Sequence, residues 1–467
     1  MNHRPLSAAI LAGALAAGAG SAQGAGFAII EQSVPGLGAA FAGAAAAADD
    51  PSTVFFNPAG MTKLEGRRLS VGVHIIEPTA EFSGSATTTP LPGGAPIPGG
   101  DGGDGGSTGV VPNFYYVTPI GEGWRFGLGI NAPFGLKTEY DDGWVGRYHA
   151  IESEVRTVNI NPSLAFRAGD DLSVGFGVSA LWIDATLSDV VDMAGVCFGL
   201  EAKGLLTGGV PVPPGTVCTG SLGFGLADIG SGAHDGKVEV DGDDWGYGWN
   251  VGLLWQPGEG TRIGFAYRSK ISVDISGDAD FTLTDASSQA LAAATGAFKD
   301  TGAKASIDLP ETLSVSVARE VAPGWEVLGD VTWTRWSRFD ELVIEFDNPV
   351  QNDSVQPENW KNSYRVALGA VHRVNARWAY RFGIAYDQTP IPSAEARTPR
   401  IPGNDRRWVA LGASFTPSER LAVHLAYAHL FVSDPPIAAT EVSTGHVLTG
   451  SFDASVDIVS AQVNWLF

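Results

Sequence analysis

The sequence is poor in the residues that catalysis, metal binding and cytoplasmic redox chemistry draw on. It has two cysteines and three methionines in 467 residues, and 17% of its residues are charged. Cys197 and Cys218 have no histidine nearby, and their spacing excludes a zinc-ligand set. They lie in one loop-like region, where export favours pairing as a disulfide over two free thiols. After the N-terminal leader no window holds about 18 consecutive apolar residues, which excludes a transmembrane helix. Basic residues are scarce, 29 Lys and Arg against 51 Asp and Glu, and a net charge of −22 excludes nucleic acid as a partner. His74, His149, His234, His372, His424, His429 and His446 are scattered, with no nucleophile motif and no metal-ligand spacing. Glycine-rich stretches lack the strand–loop–helix setting of a phosphate site. Neither an enzyme, nor a metal centre, nor a cofactor is expected.

What the chain does have is glycine (61) and aromatic residues (13 Trp, 10 Tyr, 22 Phe), ending on Phe467. Residues 1–24 read as a secretory signal, with Arg4 before an apolar core at Leu6–Ala17 and a small-residue cleavage site at Ala22-Gln23-Gly24. Fourteen strand-like segments follow, near 67–82, 110–119, 124–131, 152–167, 172–190, 237–255, 262–281, 304–318, 325–346, 360–374, 377–388, 404–416, 421–432 and 452–467. Tight turns such as Pro257-Gly258-Glu259-Gly260 alternate with long connections such as 191–236, and Gln289–Phe298 suits a short helix on one of them. An even strand number, short turns on one side and long loops on the other describe a fourteen-stranded antiparallel transmembrane β-barrel spanning residues 67–467. Closure removes the edges that lipid cannot solvate.

Alternation along the strands sorts the side chains. Within 262–276, Ile263, Phe265, Tyr267, Ile271, Val273 and Ile275 share one face, read as outward; Arg262, Arg268, Lys270, Ser272 and Asp274 share the other. Arg365 and Arg381 are likewise assigned to the interior, because a cation facing lipid at mid-bilayer costs about 2–4 kcal/mol. Trp245, Tyr247 and Trp249 are placed on the lipid side near an interface.

Residues 25–66 do not suit a strand. Alanines at 39, 40, 42 and 44–48 favour helix, while Gly36, Gly38 and Gly43 break any long one. Two or three short helical turns are expected, closed by a turn at Asn57-Pro58-Ala59. A segment this apolar needs a container, and a barrel of fourteen strands has room for a plug.

Several motifs carry a family resemblance. They are G-F at 26–27, G-L-G at 36–38, A-D-D at 48–50, N-P-A at 57–59, W-G-Y-G-W-N-V-G at 245–252, Y-R-S-K at 267–270, L-P-E at 309–311, W-S-R-F at 336–339, Y-R-V-A-L-G at 364–369 and I-P-x-x-D-R at 401–406. Together they resemble the FadL family of outer-membrane long-chain fatty-acid transporters, over most of the chain. The resemblance implies a small N-terminal helical hatch in the lumen, with Asn57, Pro58 and Ala59 at a hatch corner. Asp49 and Asp50 either cap a helix, pair with a luminal arginine or form a solvated turn. It implies that N-terminal residues Phe27, Ile29 and Ile30 reach the ligand pocket. It places a kink and lateral gap at Asn131, Ala132, Pro133, Phe134 and Gly135, where Pro removes a ladder donor; the plain alternative is the start of an outer loop. A fatty carboxylate needs a cation, and Arg268, Arg365, Arg381 and Arg406 are the candidates. Around Trp182-Ile183-Asp184 and Leu342-Val343-Ile344 no inward basic residue is evident, which keeps uncharged substrates open.

The function expected is passive uptake of long-chain fatty acids or similar compounds across the Gram-negative outer membrane, by a monomer in contact with the bilayer, with lateral release at the third strand. Monoaromatic hydrocarbons by the same route, a structural or adhesive surface barrel and a barrel lipase are the alternatives. A lumen without an apolar pocket would favour the structural class.

Overall fold

The computed structural model describes residues 26–88, 94–210 and 212–467. The signal segment 1–24 and the first plug residue, Ala25, lie outside the described residues.

Fourteen wall strands close a barrel. They are β1 (Arg68–Thr87), β2 (Gly109–Gly121), β3 (Trp124–Asn131, resuming at Gly135–Glu139), β4 (Glu152–Arg167), β5 (Leu172–Asp192), β6 (Asp235–Gly258) and β7 (Thr261–Arg268, then Ile271–Leu283). The series continues with β8 (Thr301–Leu309, then Thr312–Ala322), β9 (Trp325–Thr334, then Glu341–Phe346), β10 (Ser354–Pro357, then Ser363–Arg373) and β11 (Trp378–Asp387). It ends with β12 (Arg406–Ser418), β13 (Leu421–Val432, then Pro436–Thr440) and β14 (Val447–Leu466). Each pairs antiparallel with the next, and β1 closes on β14 from Arg68↔Leu466 to Thr87↔Val447.

Exposed outward aromatics form two belts. Trp124, Trp255, Trp325, Trp378 and Trp465 sit at the short-turn end; Trp245, Tyr247, Trp249, Tyr364 and Tyr386 sit at the other, with Tyr247 72% exposed. Such belts mark the two membrane interfaces. Beyond the second belt β5 to β9 continue as an extension whose outer face is polar, with Ser272, Asp274, Ser276 and Asp278 exposed on β7.

Here the inward–outward assignment of β7 needs correction. Ile271 and Val273 are buried and face the interior, Ile275 lines an internal cavity, and Lys270, Ser272 and Asp274 face out. The cause is a bulge at Ser269-Lys270. Between the pairs Asn250↔Arg268 and Asp243↔Ser276, β7 holds one more residue than β6. One extra residue flips every side chain that follows.

The lumen is filled by the N-terminal stretch. It forms α1 (Val34–Gly38), α2 (Ala44–Ala47), α3 (Thr53–Phe56) and a 3-10 turn at Pro58–Lys63. Val34, Leu37, Phe41, Val54 and Met61 are fully buried. Wall glycines allow the close fit: a Cβ on Gly252 would lie 1.9 Å from the Asn57 side-chain oxygen. Two outer loops carry helices α4 (Met193–Ala202) and α5 (Ala286–Thr295). Cys197 and Cys218 are joined as a disulfide within the α4 loop, buried with Met193, Phe224 and Leu291.

Candidate transport site: cavity, plug and wall gap

Above the plug lies an apolar cavity of about 870 Å³ including its mouth. Phe27 forms its floor, and Ile183, Ile275, Ile307, Leu342 and Ile344 are among its walls. The two stretches singled out for lacking a basic residue, Ile183 and Leu342-Val343-Ile344, thus contribute aliphatic wall. They can do so because the extension inverts the usual barrel rule, with apolar side chains in and polar ones out.

Phe27 is 3% exposed and surrounded by rings. Its centroid lies 4.9 Å from Trp336, 5.6 Å from Phe339, 6.0 Å from Trp360 and 6.0 Å from Phe134. Tilted and edge contacts of this kind are worth about 0.5–1.5 kcal/mol each beyond burial. Gly26 has φ +68°, and a Cβ there would sit 2.6 Å from the Trp360 ring, so the residue before Phe27 has to be glycine. Buried Glu311 holds two of the rings in place: it accepts hydrogen bonds from Arg335 at 3.1 Å and from Arg338 at 3.0 Å, the residues that precede Trp336 and Phe339. The L-P-E and W-S-R-F motifs therefore meet as one clamp.

The ladder between β2 and β3 is interrupted beside Phe27. β2 pairs with β3 only from Gly121↔Trp124 to Phe114↔Ile130. Asn131 ends the first half of β3; the second half pairs with β4 from Gly135↔Arg156 onward. Among the described residues, Gly109–Asn113 of β2 have no ladder partner on β3. The N-terminal segment patches the interruption. Ala28 bridges Phe134, Ile29 N–H donates to Pro133 O at 2.8 Å, and Gly135 N–H donates to Phe27 O at 2.9 Å. Gln32 Nε2 adds a bond to Ala132 O at 2.7 Å. Ile29 packs against Gly135 and the plug core, and Ile30 lies beside that core; among the described lining residues of the cavity, Phe27 alone comes from the N-terminal trio.

The other sequence-selected residues hold the plug. Asn57 Nδ2 donates to Ala45 O at 2.7 Å and to Leu253 O of β6 at 2.9 Å, and its Oδ1 accepts from Ala59 N–H at 3.1 Å. Pro58 and Ala59 begin the 3-10 turn, against β5. Asp50 accepts from Ser52 and from Gln462 of β14 at 2.7 Å. Asp49 lies 3.6 Å from Arg381 and 3.5 Å from Arg373.

The four arginines do point inward, but toward the plug. Arg268 donates to Phe55 O at 2.8 Å and stacks over its ring. Arg365 donates to Ala40 O at 2.7 Å and lies over Trp408. Arg381 donates to Ser414, and Arg406 is buried near Glu31 and Asp387. Among the described residues none of the four lines the cavity.

Two cations do line it, Lys304, whose ammonium pairs with Asp347, and the buried Arg400; sequence parity missed Arg400 because it lies on the connection between β11 and β12, where alternation has no meaning. Its Nη1 donates to Glu152 O, Ser153 Oγ and Ser188 O, and its Nη2 donates to Asp189 at 2.9 Å. Glu358, between the halves of β10, lines the same corner and accepts the Trp360 indole N–H at 2.8 Å. Burial pushes the Glu358 carboxyl up to about 8, against the opposing pull of the Trp360 hydrogen bond and the Arg400 charge. Burial also draws the Arg400 guanidinium down, with Asp189 and Glu358 opposing. Among the described residues no cluster of His, Cys, Asp or Glu has metal-binding geometry.

A fourteen-stranded wall, an N-terminal plug and an apolar cavity together match one group of known proteins. The family model for outer membrane protein transport protein (OMPP1/FadL/TodX) matches residues 15–467. The chain belongs to this family. It is 30% identical over 411 residues to the long-chain fatty acid transport protein of Escherichia coli O6:H1, covering 87% of this chain and 86% of that one. It is 32% identical to outer membrane protein P1 of Haemophilus influenzae, covering 90% and 89%. A solved Pseudomonas aeruginosa FadL homologue superposes with TM-score 0.83 at 26% identity, covering 94% of this chain and 99% of that one. The protein is thus an outer-membrane transporter of hydrophobic compounds, in a family of transport channels rather than enzymes.

Proposed function

We propose that this chain takes up long-chain fatty acids, holds them in the cavity above Phe27, and releases them sideways into the bilayer between β2 and β3. The observation that carries the reading is the double position of Phe27: its ring floors the cavity, while its carbonyl accepts the N–H of Gly135 at the break in β3. A ligand that displaces Phe27 downward or outward necessarily strains the patch over the gap. Each methylene buried in the cavity contributes about 0.8 kcal/mol, so discharge into periplasmic water is costly and discharge into lipid is not. Arg400 supplies the cation that a carboxylate head group requires, which favours fatty acids over uncharged hydrocarbons. Asn57, Asp49, Asp50 and the luminal arginines keep the plug seated while the N-terminal segment moves.

The test is uptake of labelled oleate against labelled toluene in cells lacking the protein and in cells regaining it. Oleate uptake that depends on the protein is expected. Dependence for toluene alone favours the hydrocarbon reading, and dependence for neither overturns both.

A further inference from the structure

The cavity is apolar except at one corner, where Glu358 and Arg400 stand together and Asp241 and Lys304 reach the rim. Glu358 is 4% exposed. One of its oxygens receives the Trp360 N–H. Arg400 is paired with one carboxylate, Asp189, at 2.9 Å, which burial raises to about 7 against the pull of the Arg400 charge and with Glu441 adding to the rise; Lys304 is engaged outside by Asp347 at 3.0 Å. An ionised Glu358 adds a second anion to a corner with a single buried cation. An anionic ligand head group adds a third.

The geometry points to Glu358 as the residue that sets head-group specificity: its neutral carboxyl donates its O–H to the anionic head of an amphiphile, while Arg400 supplies the countercharge. This inference rests on the uptake reading above. One oxygen accepts from Trp360, which leaves the other to carry the proton and donate to the head group. A neutral amphiphile of equal chain length gains the same tail burial but no charge-assisted bond, which is about twice as strong as a neutral one. When Glu358 loses its proton, the donor becomes a like charge. Because burial places that loss at about 8, selection for anions fades in mildly alkaline solution.

The test uses the purified full chain in detergent with two probes of the same length: a long-chain alkylsulfonate, whose head does not titrate in this range, and the matching alcohol. Binding is measured from about pH 6.5 to about pH 9.5. For the native protein, sulfonate affinity is expected to fall by at least about tenfold across this range, and alcohol affinity to stay level. Glu358→Gln keeps a donor and an acceptor, and is expected to remove the fall centred near 8, leaving only the change that accompanies Asp189 near 7. A level sulfonate profile in the native protein, or an unchanged slope in Glu358→Gln, overturns the role of Glu358 and leaves the uptake reading intact. Ile183→Trp, which projects an indole into the cavity, is expected to weaken binding of both probes alike. Native-like binding of both by that variant overturns the cavity as the ligand site, and this inference with it.

Discussion

The backbone N–H of Ile29 donates to the carbonyl oxygen of Pro133 across a break in the barrel wall, at 2.8 Å. Pro133 has no N–H to offer, and β3 stops two residues before it. The N-terminal segment therefore serves as a short substitute strand, pairing backbone groups that the interruption of β3 leaves without a ladder partner. Unpaired backbone groups in lipid cost several kcal/mol each, so in the proposed route the patch parts only when something replaces its contacts.

Locking this patch tests the route. Ala28 and Phe134 are bridge partners, so Ala28→Cys with Phe134→Cys is expected to crosslink under oxidation. Oleate uptake should drop by about tenfold or more when the crosslink forms and return on reduction. The native protein treated with the same reductant serves as control. Undiminished uptake in the crosslinked form contradicts release through this break.

Asn57 is expected to govern how firmly the plug is seated. Asn57→Ala removes three hydrogen bonds and leaves the Ala45 and Leu253 carbonyls without that donor. At about 1 kcal/mol net per bond, the loss amounts to about 2–3 kcal/mol. Planar-bilayer recordings should show higher background conductance than the native protein, with barrel assembly unchanged in heat-modifiable gel mobility.

Glu311 should affect ligand affinity without touching the cavity. Glu311→Gln weakens the clamp on Arg335 and Arg338 and so loosens Trp336, a ring in contact with Phe27. Affinity for oleate is expected to fall by about tenfold, equivalent to about 1.4 kcal/mol, with a shift in tryptophan emission. Native affinity in this variant would remove the clamp from the account of the site.

The ligand-free protein should also lose stability with rising pH through Glu358. Its folded carboxyl titrates near 8, above the ordinary 4.5. Below about 4.5 both folded and unfolded chains are protonated and the group makes no difference. Between 4.5 and 8 the unfolded state releases the proton first, so each step up in pH favours unfolding. Glu358→Gln should melt at a higher temperature than the native protein at about pH 9 and nearly match it at about pH 4. The reverse order would show that Glu358 is held ionised.

What the sequence by itself determined is the set of properties that depend on local pattern. Alternation with period two, broken by turn residues, marks all fourteen strands, and the glycine- and alanine-rich stretch before Arg67 cannot be a strand or stay in water. Gly26 and the N-P-A corner are legible only through the family motifs; the positive φ of Gly26 and the close packing of Asn57 on β6 come from the tertiary structure. What the tertiary structure alone decided depends on register and on loops. One extra residue at Ser269-Lys270 turned Ile271, Val273 and Ile275 inward, and no alternation rule foresees a bulge. The inward arginines could be counted from parity, but their partners, Phe55 and Ala40 among them, are distant in sequence and lie on the plug. Arg400 and Glu358 reach the cavity from a connection and from a break within β10. Their burial and charge arise only when β4, β5 and β10 assemble around them. Period-two logic fixes which way a side chain points on a strand; which groups then share one low-dielectric corner is settled by closure of the barrel.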